Sequence, residues 1–254
     1  MIKRFWKPLT AILIFIISQI TAGLLMGLIH LLGISSTTAM ACSIIVSGII
    51  AIAVCYVLHI IRPKTFSINN IKWRHIPLAL AAALMGIFSM GLLMEQLGLP
   101  DLMKGEMIAM AYNIWGIIAI ALIGPITEEL IFREAIIGSL LRHRVHRWQA
   151  ILISATLFGL IHINPAQVPF AIAMGIILGI IYTKMGNIVL TSIIHIFNNT
   201  LAVIEIRLLG EHFDEFSYCE VLGGKLMTWG YLVTSAMLCI IFLSQFWEKY
   251  HRSH

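Results

Sequence analysis

Long apolar runs alternate with short polar segments along this chain. A run of about 20 apolar residues is long enough to cross a bilayer as a helix. The pattern predicts eight such helices, near residues 8–32, 39–61, 77–97, 107–141, 148–163, 167–184, 188–206 and 227–247. We therefore expect an all-α fold, in which residues 1–254 form a single integral membrane domain, a polytopic bundle of about eight transmembrane helices.

The fourth apolar run is too long for one simple crossing. Residues 107–141 would extend roughly 52 Å as a helix, against a hydrocarbon core of about 30 Å. Gly124 and Pro125 lie in its middle, and proline removes a backbone donor and kinks helices. The run could form two short crossings or one long broken helix. If the helix restarts at Pro125, Glu128 lies in its first turn, where the helix dipole favours an ionised carboxylate.

Charge placement decides between these arrangements, because cytoplasmic segments of membrane proteins are enriched in Lys and Arg. With one crossing for the fourth run and the N-terminus inside, 13 of the 17 basic residues lie on the cytoplasmic side. They are Lys3, Arg4, Lys7, Arg62, Lys64, Lys72, Arg74, Arg142, Arg144, Arg147, Lys184, Lys249 and Arg252. The outer loops hold 8 of the 12 acidic residues: Glu95, Asp101, Glu106, Glu205, Glu211, Asp214, Glu215 and Glu220. Two crossings would move the cluster at 142–147 outside, so we predict eight helices with both termini in the cytoplasm.

The composition excludes several other protein classes. The chain is 59% hydrophobic and 11% charged, with a mean hydropathy of +0.94, whereas soluble domains are about 45–50% apolar and about 25% charged. A soluble globular enzyme, a disordered chain and a disulfide scaffold are thereby excluded. The net charge of +5 follows the membrane topology, so we expect the lipid bilayer as a partner and no nucleic acid.

Charged and polar side chains inside a bilayer are costly, so they mark candidate functional residues. Within the predicted helices they are Glu128, Glu129, Arg133, Glu134, His162, His195, Asn198 and Asn199. Glu129 and Arg133, at i and i+4, are expected to pair on one helix face, with Glu128 about 100° away. His195 and Asn199 share a face of another helix, while Asn198 is expected to point elsewhere and to pack or cap.

These groups lie at comparable depth. Counting about 1.5 Å per residue, Glu128 and His162 lie roughly 21 Å from the inner face, and His195 and Asn199 lie roughly 10 and 16 Å from it. We expect them to meet in one buried cavity. They could activate water and stabilise an oxyanion, or Glu128 and the two histidines could bind a metal such as zinc. They could also be interhelical hydrogen-bonding contacts or a proton relay.

Three motifs at these positions resemble a known family. Residues 127–133, Thr-Glu-Glu-Leu-Ile-Phe-Arg, match the E-E-x-x-x-R motif of the CPBP intramembrane proteases. That family includes the CAAX prenyl proteases and the bacterial Abi and bacteriocin-processing or immunity proteins. Residues 158–162 match its F-x-x-x-H motif and residues 195–199 match H-x-x-x-N. The motifs occur in the family's order and place the catalytic core helices at about residues 107–205.

The resemblance implies a role for each candidate. Glu128 would be the general base that activates water, and His162 would assist it or bind a metal. His195 and Asn199 would polarise the scissile carbonyl and hold the oxyanion. Zinc could be bound by Glu128, His162 and His195, although the H-E-x-x-H signature of other zinc proteases is absent.

The remaining charged residues of the fourth run have supporting roles by the same resemblance. Glu129 and Arg133 would mainly hold the helix in place. Glu134 departs from the family, because many relatives have Gly after the Arg. It lies next to the site helix and could alter substrate entry.

Together these features predict an intramembrane endopeptidase, glutamate-dependent and with metal dependence left open, in a prokaryotic cell membrane. We expect it to hydrolyse a peptide bond in a peptide or membrane-protein tail, near the cytoplasmic side. One alternative is a non-enzymatic immunity or scaffold protein that binds a bacteriocin-like peptide or a membrane-protein partner. Another is a transporter whose Glu and His relay protons, although the paired broken helices typical of transporters are absent.

Overall fold

The computed structural model describes residues 2–62 and 73–251, as helices joined by turns. The helices of this part are α1 Ile2–His30, α2 Ser36–Val57, α3 Ile76–Leu97, α4 Lys104–Ala111, α5 Ile114–Arg142, α6 Arg147–Leu160, α7 Val168–Met185, α8 Val189–Leu209, α9 Tyr218–Val221 and α10 Lys225–His251. The predicted all-α membrane bundle is confirmed. Some of the charged groups counted above lie outside the described residues: Lys64, Lys72 and Arg252, and the side chains of Lys3, Arg4, Glu211, Asp214 and Lys249.

One end of the bundle collects basic side chains. Lys7 of α1 donates to the carbonyl of His59, just after α2, at 2.9 Å. Arg142, the last residue of α5, donates to the backbone carbonyl of Ile60 at 3.2 Å. Lys184, near the end of α7, lies over the indole ring of Trp247 in α10, 3.5 Å from its centroid. These contacts define what we call the basic end.

The opposite end carries most of the acidic residues, and we call it the acidic end. Asn113, just before α5, donates to the hydroxyl of Thr38 in the first turn of α2 at 3.0 Å. Asn164, after α6, accepts from the backbone N–H of Leu102 at 3.0 Å. Glu95, near the end of α3, accepts from Ser217 at 2.6 Å. The eight predicted helices therefore all run between the two ends, and α1 begins where α10 finishes. Which end faces the cytoplasm stays a prediction.

The fifth of these passes, α6, is shorter than predicted. Seven helices of the described chain are long and apolar enough to cross a membrane, and α6 is not among them. It has 14 residues, about 21 Å, and ends at Leu160 rather than at residue 163. Ile163 has a positive φ of 57°, and Pro165 restricts the backbone of the residue before it, so the helix cannot continue. Residues 161–167 form a turn that leads from α6 to α7.

α5 is one crossing of 29 residues, as charge placement predicts for the fourth run. The run does not start at 107, because residues 104–111 form the separate helix α4. The predicted break at Pro125 is wrong: Ile123 and Gly124 keep right-handed helical dihedral angles. Wider π-helical turns over Ile118–Ile123 and Leu130–Gly138 lie on either side of the proline instead. Glu128 therefore does not lie in the first turn of a restarted helix.

α5 lies at the centre of the bundle. Residues 129–140 are buried without interruption, and α1, α2, α6, α7 and α8 pack around the helix, while α3 packs on α7 and α10. Gly175 of α7 lets that helix approach α6 closely, because a Cβ at this position would lie 2.9 Å from Ala155. This central position brings Glu128 and Glu129 of α5 against His195 of α8.

Candidate active site

Glu129 and Arg133 form a buried ion pair on α5, as their spacing predicts. Arg133 Nε donates to Oε2 of Glu129 at 3.0 Å, and both side chains are 0% exposed. The Nη1 and Nη2 atoms of Arg133 are buried without a hydrogen-bond acceptor, and the guanidinium lies 5.1 Å from the ring centroid of Phe158. Either partner alone would leave an uncompensated buried charge, so the two depend on each other.

His195 of α8 lies between the two glutamates. Its Nδ1 is 3.2 Å from Oε1 of Glu129, and its Nε2 is 3.5 Å from Oε2 of Glu128. Because the carboxylate held by Arg133 can only accept, the Nδ1–H of His195 donates to Glu129. The Nε2 atom of His195 and the carboxylate of Glu128 then attract each other if one of the two groups carries a proton that it can donate to the other. With the proton on either group, these four side chains carry no net charge.

Glu128 points away from this interior pair, as the angle of about 100° between successive residues predicts. Its side chain is 21% exposed, whereas that of Glu129 is fully buried. The exposed surface of Glu128 faces a large cavity. A carboxylate in this position can reach both His195 and a molecule inside the cavity.

His162 follows the end of α6 and faces the same cavity. Its Nδ1 donates to the carbonyl of Phe158 at 2.7 Å, and a carbonyl can only accept, so the neutral ring keeps the lone pair of Nε2. The Phe158 ring meets His162 edge to face at 5.0 Å and His195 at 5.7 Å. His162 makes no hydrogen bond to Glu128 or His195, and the Phe158 ring is the contact that the two imidazoles share.

Asn199 replaces a backbone donor that α5 lacks. The N–H of Gly124 bonds to the carbonyl of Ala119, and Pro125 has no N–H, so the carbonyl of Ile120 has no partner within the helix. Asn199 Nδ2 donates to this carbonyl at 2.7 Å. The amide thereby fixes α8 against the proline of α5 and keeps its second N–H for another acceptor.

The expectation that Asn198 points away from Asn199 is wrong. Its Nδ2 donates to Oδ1 of Asn199 at 3.0 Å, and it lines the same cavity. Helical spacing alone separates the two asparagines by about 100°. The cavity is wide enough to contact both faces, which spacing cannot indicate.

The cavity beside these residues has a volume of about 1080 Å³, slightly above the usual range of about 300–1,000 Å³ for small-molecule sites. Its lining is mostly apolar. The structure brings four sequence-predicted candidates together in that lining: Glu128, His162, His195 and Asn199. Convergent polar groups in an apolar cavity are typical of a binding or catalytic site.

The cavity extends towards the acidic end. Its lining includes Glu205 and Leu209 near the end of α8, and Phe216 and Tyr218 beyond it, and no basic-end residue of the described chain. Tyr218 donates to Glu205, and burial together with this carboxylate raises the pKa of Tyr218 above its ordinary value, so the phenol stays protonated. The cavity therefore lies away from the basic end, whereas peptide-bond cleavage was expected near the cytoplasmic side, which the charge pattern assigns to the basic end.

The possible zinc site of Glu128, His162 and His195 stays a prediction. No three His, Cys, Asp or Glu side chains of that part lie close enough to hold a metal ion. The Nδ1 atoms of His162 and His195 face a carbonyl and a carboxylate, and Nε2 of His195 faces Glu128. Hydrogen bonding through Nδ1 leaves Nε2 of each ring as the nitrogen that could bind a metal, but no third ligand is grouped with them in the described part of the chain, so no catalytic step is assigned to a metal.

Glu134 faces away from the cavity, so its expected effect on substrate entry has no structural basis. Its carboxylate accepts from Tyr182 of α7 at 2.6 Å and from Arg142 at 2.8 Å. A Cβ on Gly138 would lie within 3.0 Å of all three side chains, so the glycine leaves room for this buried cluster. Glu134 ties α5 to α7 near the basic end.

The central part of the chain matches a known family. Residues 110–201 match the family model described as Type II CAAX prenyl endopeptidase Rce1-like. This stretch contains all three sequence motifs, and the match confirms the resemblance to the CPBP proteases for this part.

Two bacterial proteins are similar over a comparable stretch. "Putative membrane peptidase YdiL" of Bacillus subtilis (strain 168) is 34% identical over 88 residues, which are 35% of this chain and 36% of that protein. "UPF0177 protein YxdF" of Lactococcus lactis subsp. lactis (strain IL1403) is 33% identical over 101 residues, 39% of this chain and 54% of that protein. The matches thus span from about a third to about half of these relatives. No solved structure matches the chain.

Proposed function

We propose that this integral membrane protein is an endopeptidase that cleaves a peptide bond within its membrane cavity, with Glu128 activating the attacking water. The observation that carries the proposal is the position of His195 between Glu128 and the buried pair of Glu129 and Arg133. The family match over residues 110–201 and the relative named as a membrane peptidase support the same class of reaction.

The proposed first step is attack by water on the scissile carbonyl carbon. Glu128 takes a proton from the water as its oxygen bonds to that carbon. His195 carries the resting proton on Nε2, 3.5 Å from Glu128, so the carboxylate is free to accept the proton of the water, and Glu129 orients the ring through Nδ1. The proton then passes to the leaving amine nitrogen as the C–N bond breaks. Glu128 and His195 act as one general acid–base unit.

The oxyanion would be held from the other side of the cavity. Asn199 uses one amide N–H for the carbonyl of Ile120 and can donate the second to the developing negative charge. His162, with Nδ1 fixed on the carbonyl of Phe158, can donate from Nε2 when its ring is protonated. His195 then serves Glu128, rather than the oxyanion role that the resemblance implies.

The apolar lining favours an apolar peptide or the tail of a membrane protein as substrate. A cavity of about 1080 Å³ holds only a short extended stretch of peptide, and its mostly apolar lining suits apolar side chains. We propose a bacterial membrane location, since both similar proteins are bacterial.

The test replaces Glu128 by Gln in the purified protein and measures cleavage of a library of apolar peptides by mass spectrometry. Loss of the general base should lower the rate by about 10²–10⁴-fold. The matched control is Glu106→Gln, the same chemical change at an exposed position of α4, which should cleave like the wild type. Undiminished cleavage by the Glu128 variant would contradict the mechanism. Full biological activity without any cleavage would favour the non-enzymatic immunity or scaffold protein.

A further inference from the structure

Two cations converge on one indole ring at the basic end. The ammonium of Lys184 lies 3.5 Å from the ring centroid of Trp247, and the guanidinium carbon of Arg147 lies 4.8 Å from it. Trp148 stacks on the same ring, with centroids 5.6 Å apart and an interplanar angle of 19°. The first turn of α6, the last turn of α7 and the end of α10 therefore meet at this point.

No carboxylate in the described part of the chain pairs with either of these two charges. Among the described residues neither Arg147 nor Lys184 forms an ion pair or a hydrogen bond, although Lys184 is only 8% exposed. The acidic residues near this end are Glu134, which is held by Arg142, and Glu248, which is exposed. The undescribed residues 63–72 and 252–254 contain no Asp or Glu. The indole face attracts both cations but leaves their charge unneutralised.

The backbone adds positive potential at the same place. α6 begins at Arg147, and its N-cap residue, His146, makes no side-chain capping hydrogen bond. The first N–H groups of a helix lack intrahelical acceptors and carry the positive end of the helix dipole. A basic residue in a first turn opposes that dipole. A helix start, a guanidinium and a nearly buried ammonium together form an anion-binding arrangement.

We propose that Arg147, Lys184 and the first turn of α6 bind a phosphate anion, carried by the headgroup of an anionic phospholipid. The site lies where membrane-spanning helices end, which is the level of the headgroups. Trp148 and Trp247 are interfacial residues of the kind found at that level. Anionic lipids of one leaflet attract basic segments of membrane proteins there. The bound phosphate neutralises the two charges and joins α6, α7 and α10.

The experiment uses the full chain purified in detergent and native mass spectrometry, with phosphatidylglycerol and phosphatidylcholine offered in equal amounts. The wild type should retain phosphatidylglycerol preferentially. Arg147→Gln and Lys184→Met should each weaken this retention about fivefold, the effect of one basic charge near an anionic surface. Methionine keeps an unbranched apolar chain against Trp247, so folding should persist, which the thermal unfolding midpoint checks.

The matched control is Arg144→Gln, an exposed basic residue just before α6, which should change retention by less than about twofold because it lies outside the site. An equal loss in this control would overturn the proposal in favour of diffuse surface attraction, as would wild-type retention by the two site variants. A second arm adds inorganic phosphate to the lipid-free protein. If phosphate alone raises the unfolding midpoint as much as the lipid does, and only with Lys184 present, the lipid assignment is overturned.

Discussion

The side chain of His195 connects a buried ion pair to the cavity. Its Nδ1 reaches Glu129, which Arg133 neutralises from within α5, and its Nε2 reaches Glu128. The charges of the pair therefore serve more than helix packing, because they fix which ring nitrogen of His195 carries the proton that faces the interior. A catalytic role for Glu128 depends on this fixed orientation.

Glu129→Gln should destabilise the protein. The substitution preserves shape but leaves the buried guanidinium of Arg133 without its carboxylate, and breaking such a pair costs about 3–5 kcal/mol. Thermal unfolding in detergent should therefore show a clearly lowered midpoint. The double variant Glu129→Gln, Arg133→Met should recover part of the loss, because it removes the uncompensated charge. Additive losses in the double variant would contradict the pairing.

Phe158→Leu should affect catalysis more than stability. The ring contacts both imidazoles, so Phe158 is a positioning residue, and leucine fills the core without holding either histidine. Leucine keeps the position apolar but is smaller and removes the ring beside Arg133, so some stability is lost as well, whereas misplaced catalytic groups cost about tenfold or more in kcat. The measurement is kcat, KM and the pH profile of peptide cleavage, beside the unfolding midpoint.

Phe132→Leu is the matched control for this prediction. Phe132 packs on the ring of Phe158, with centroids 5.1 Å apart, and its ring has no contact with His162 or His195. It should lose similar stability while kcat stays near the wild-type value. Equal losses of kcat in both variants would contradict a positioning role for Phe158 and would leave it a role in packing only.

Sequence reasoning reaches these residues but not their contacts. Their types at membrane depth predict Glu128, His162, His195 and Asn199 as candidates, and i,i+4 spacing predicts the pair within α5. The link from His195 to Glu129, the bond from His162 to the carbonyl of Phe158 and the cavity-facing position of Asn198 depend on how α5, α6 and α8 are rotated against each other. A helical period describes one helix and contains no information on that rotation.

At the scale of elements, the helical backbone of α5 continues through its proline. The helix widens into π-helical turns, and an amide from α8 bonds to the carbonyl that the proline leaves unpaired. Turns of this kind are frequent at functional sites, because they re-aim side chains. Glu128 and Glu129 lie in the ordinary α-helical turn between the two wide ones. The unusual geometry of α5 thus places the two carboxylates on either side of His195.

Gly124→Ala should disturb this geometry. An added Cβ would lie 2.9 Å from the carbonyl oxygen of Ala119, so the wide turn must shift, and the bond between Asn199 and Ile120 shifts with it. Overpacking of this kind costs about 1–3 kcal/mol, measured as a lowered unfolding midpoint together with reduced cleavage. Gly230→Ala is the control, because a Cβ there meets nothing within 4 Å and alanine favours a helix. A stabilised Gly124 variant would contradict the role of the wide turn.

Helix limits show where apolar patterning stops being sufficient. The apolar run at 148–163 continues past Leu160, although α6 ends there, since Ile163 is as apolar as the residues before it. The stop is a backbone effect of Pro165 and of the turn held by Asn164. The apolar run at 107–141 likewise gives no sign of the boundary between α4 and α5, because the residues on both sides of it are apolar. Asn113 caps α5 by accepting from two backbone N–H groups, a local signal within a mostly apolar stretch.

At the scale of the whole molecule, the distribution of charge is the feature that sequence predicts best. Counting Lys and Arg between apolar runs gives eight passes, and in the structure the basic and acidic segments separate to opposite ends of the bundle. Seven helices of the described residues are long and apolar enough to cross a membrane, and α6 is too short to be one of them. Charge placement predicts an eighth crossing because it depends on the two faces of a membrane and not on the length of any one helix, and the number of crossings stays a prediction.

The orientation prediction can be tested with single cysteines in a variant that lacks the four native ones. A cysteine at Arg144, at the basic end, should react only with a membrane-permeant maleimide in intact cells, and one at Glu106, at the acidic end, should also react with an impermeant maleimide. Both positions are exposed, so accessibility to the reagent depends only on the side of the membrane. Because α1 begins and α10 finishes at the basic end, cytoplasmic reporters fused to either end should both be active. The reverse labelling pattern would invert the bundle and place the acidic end, towards which the cavity extends, in the cytoplasm, whereas activity of only one reporter would mean an odd number of crossings.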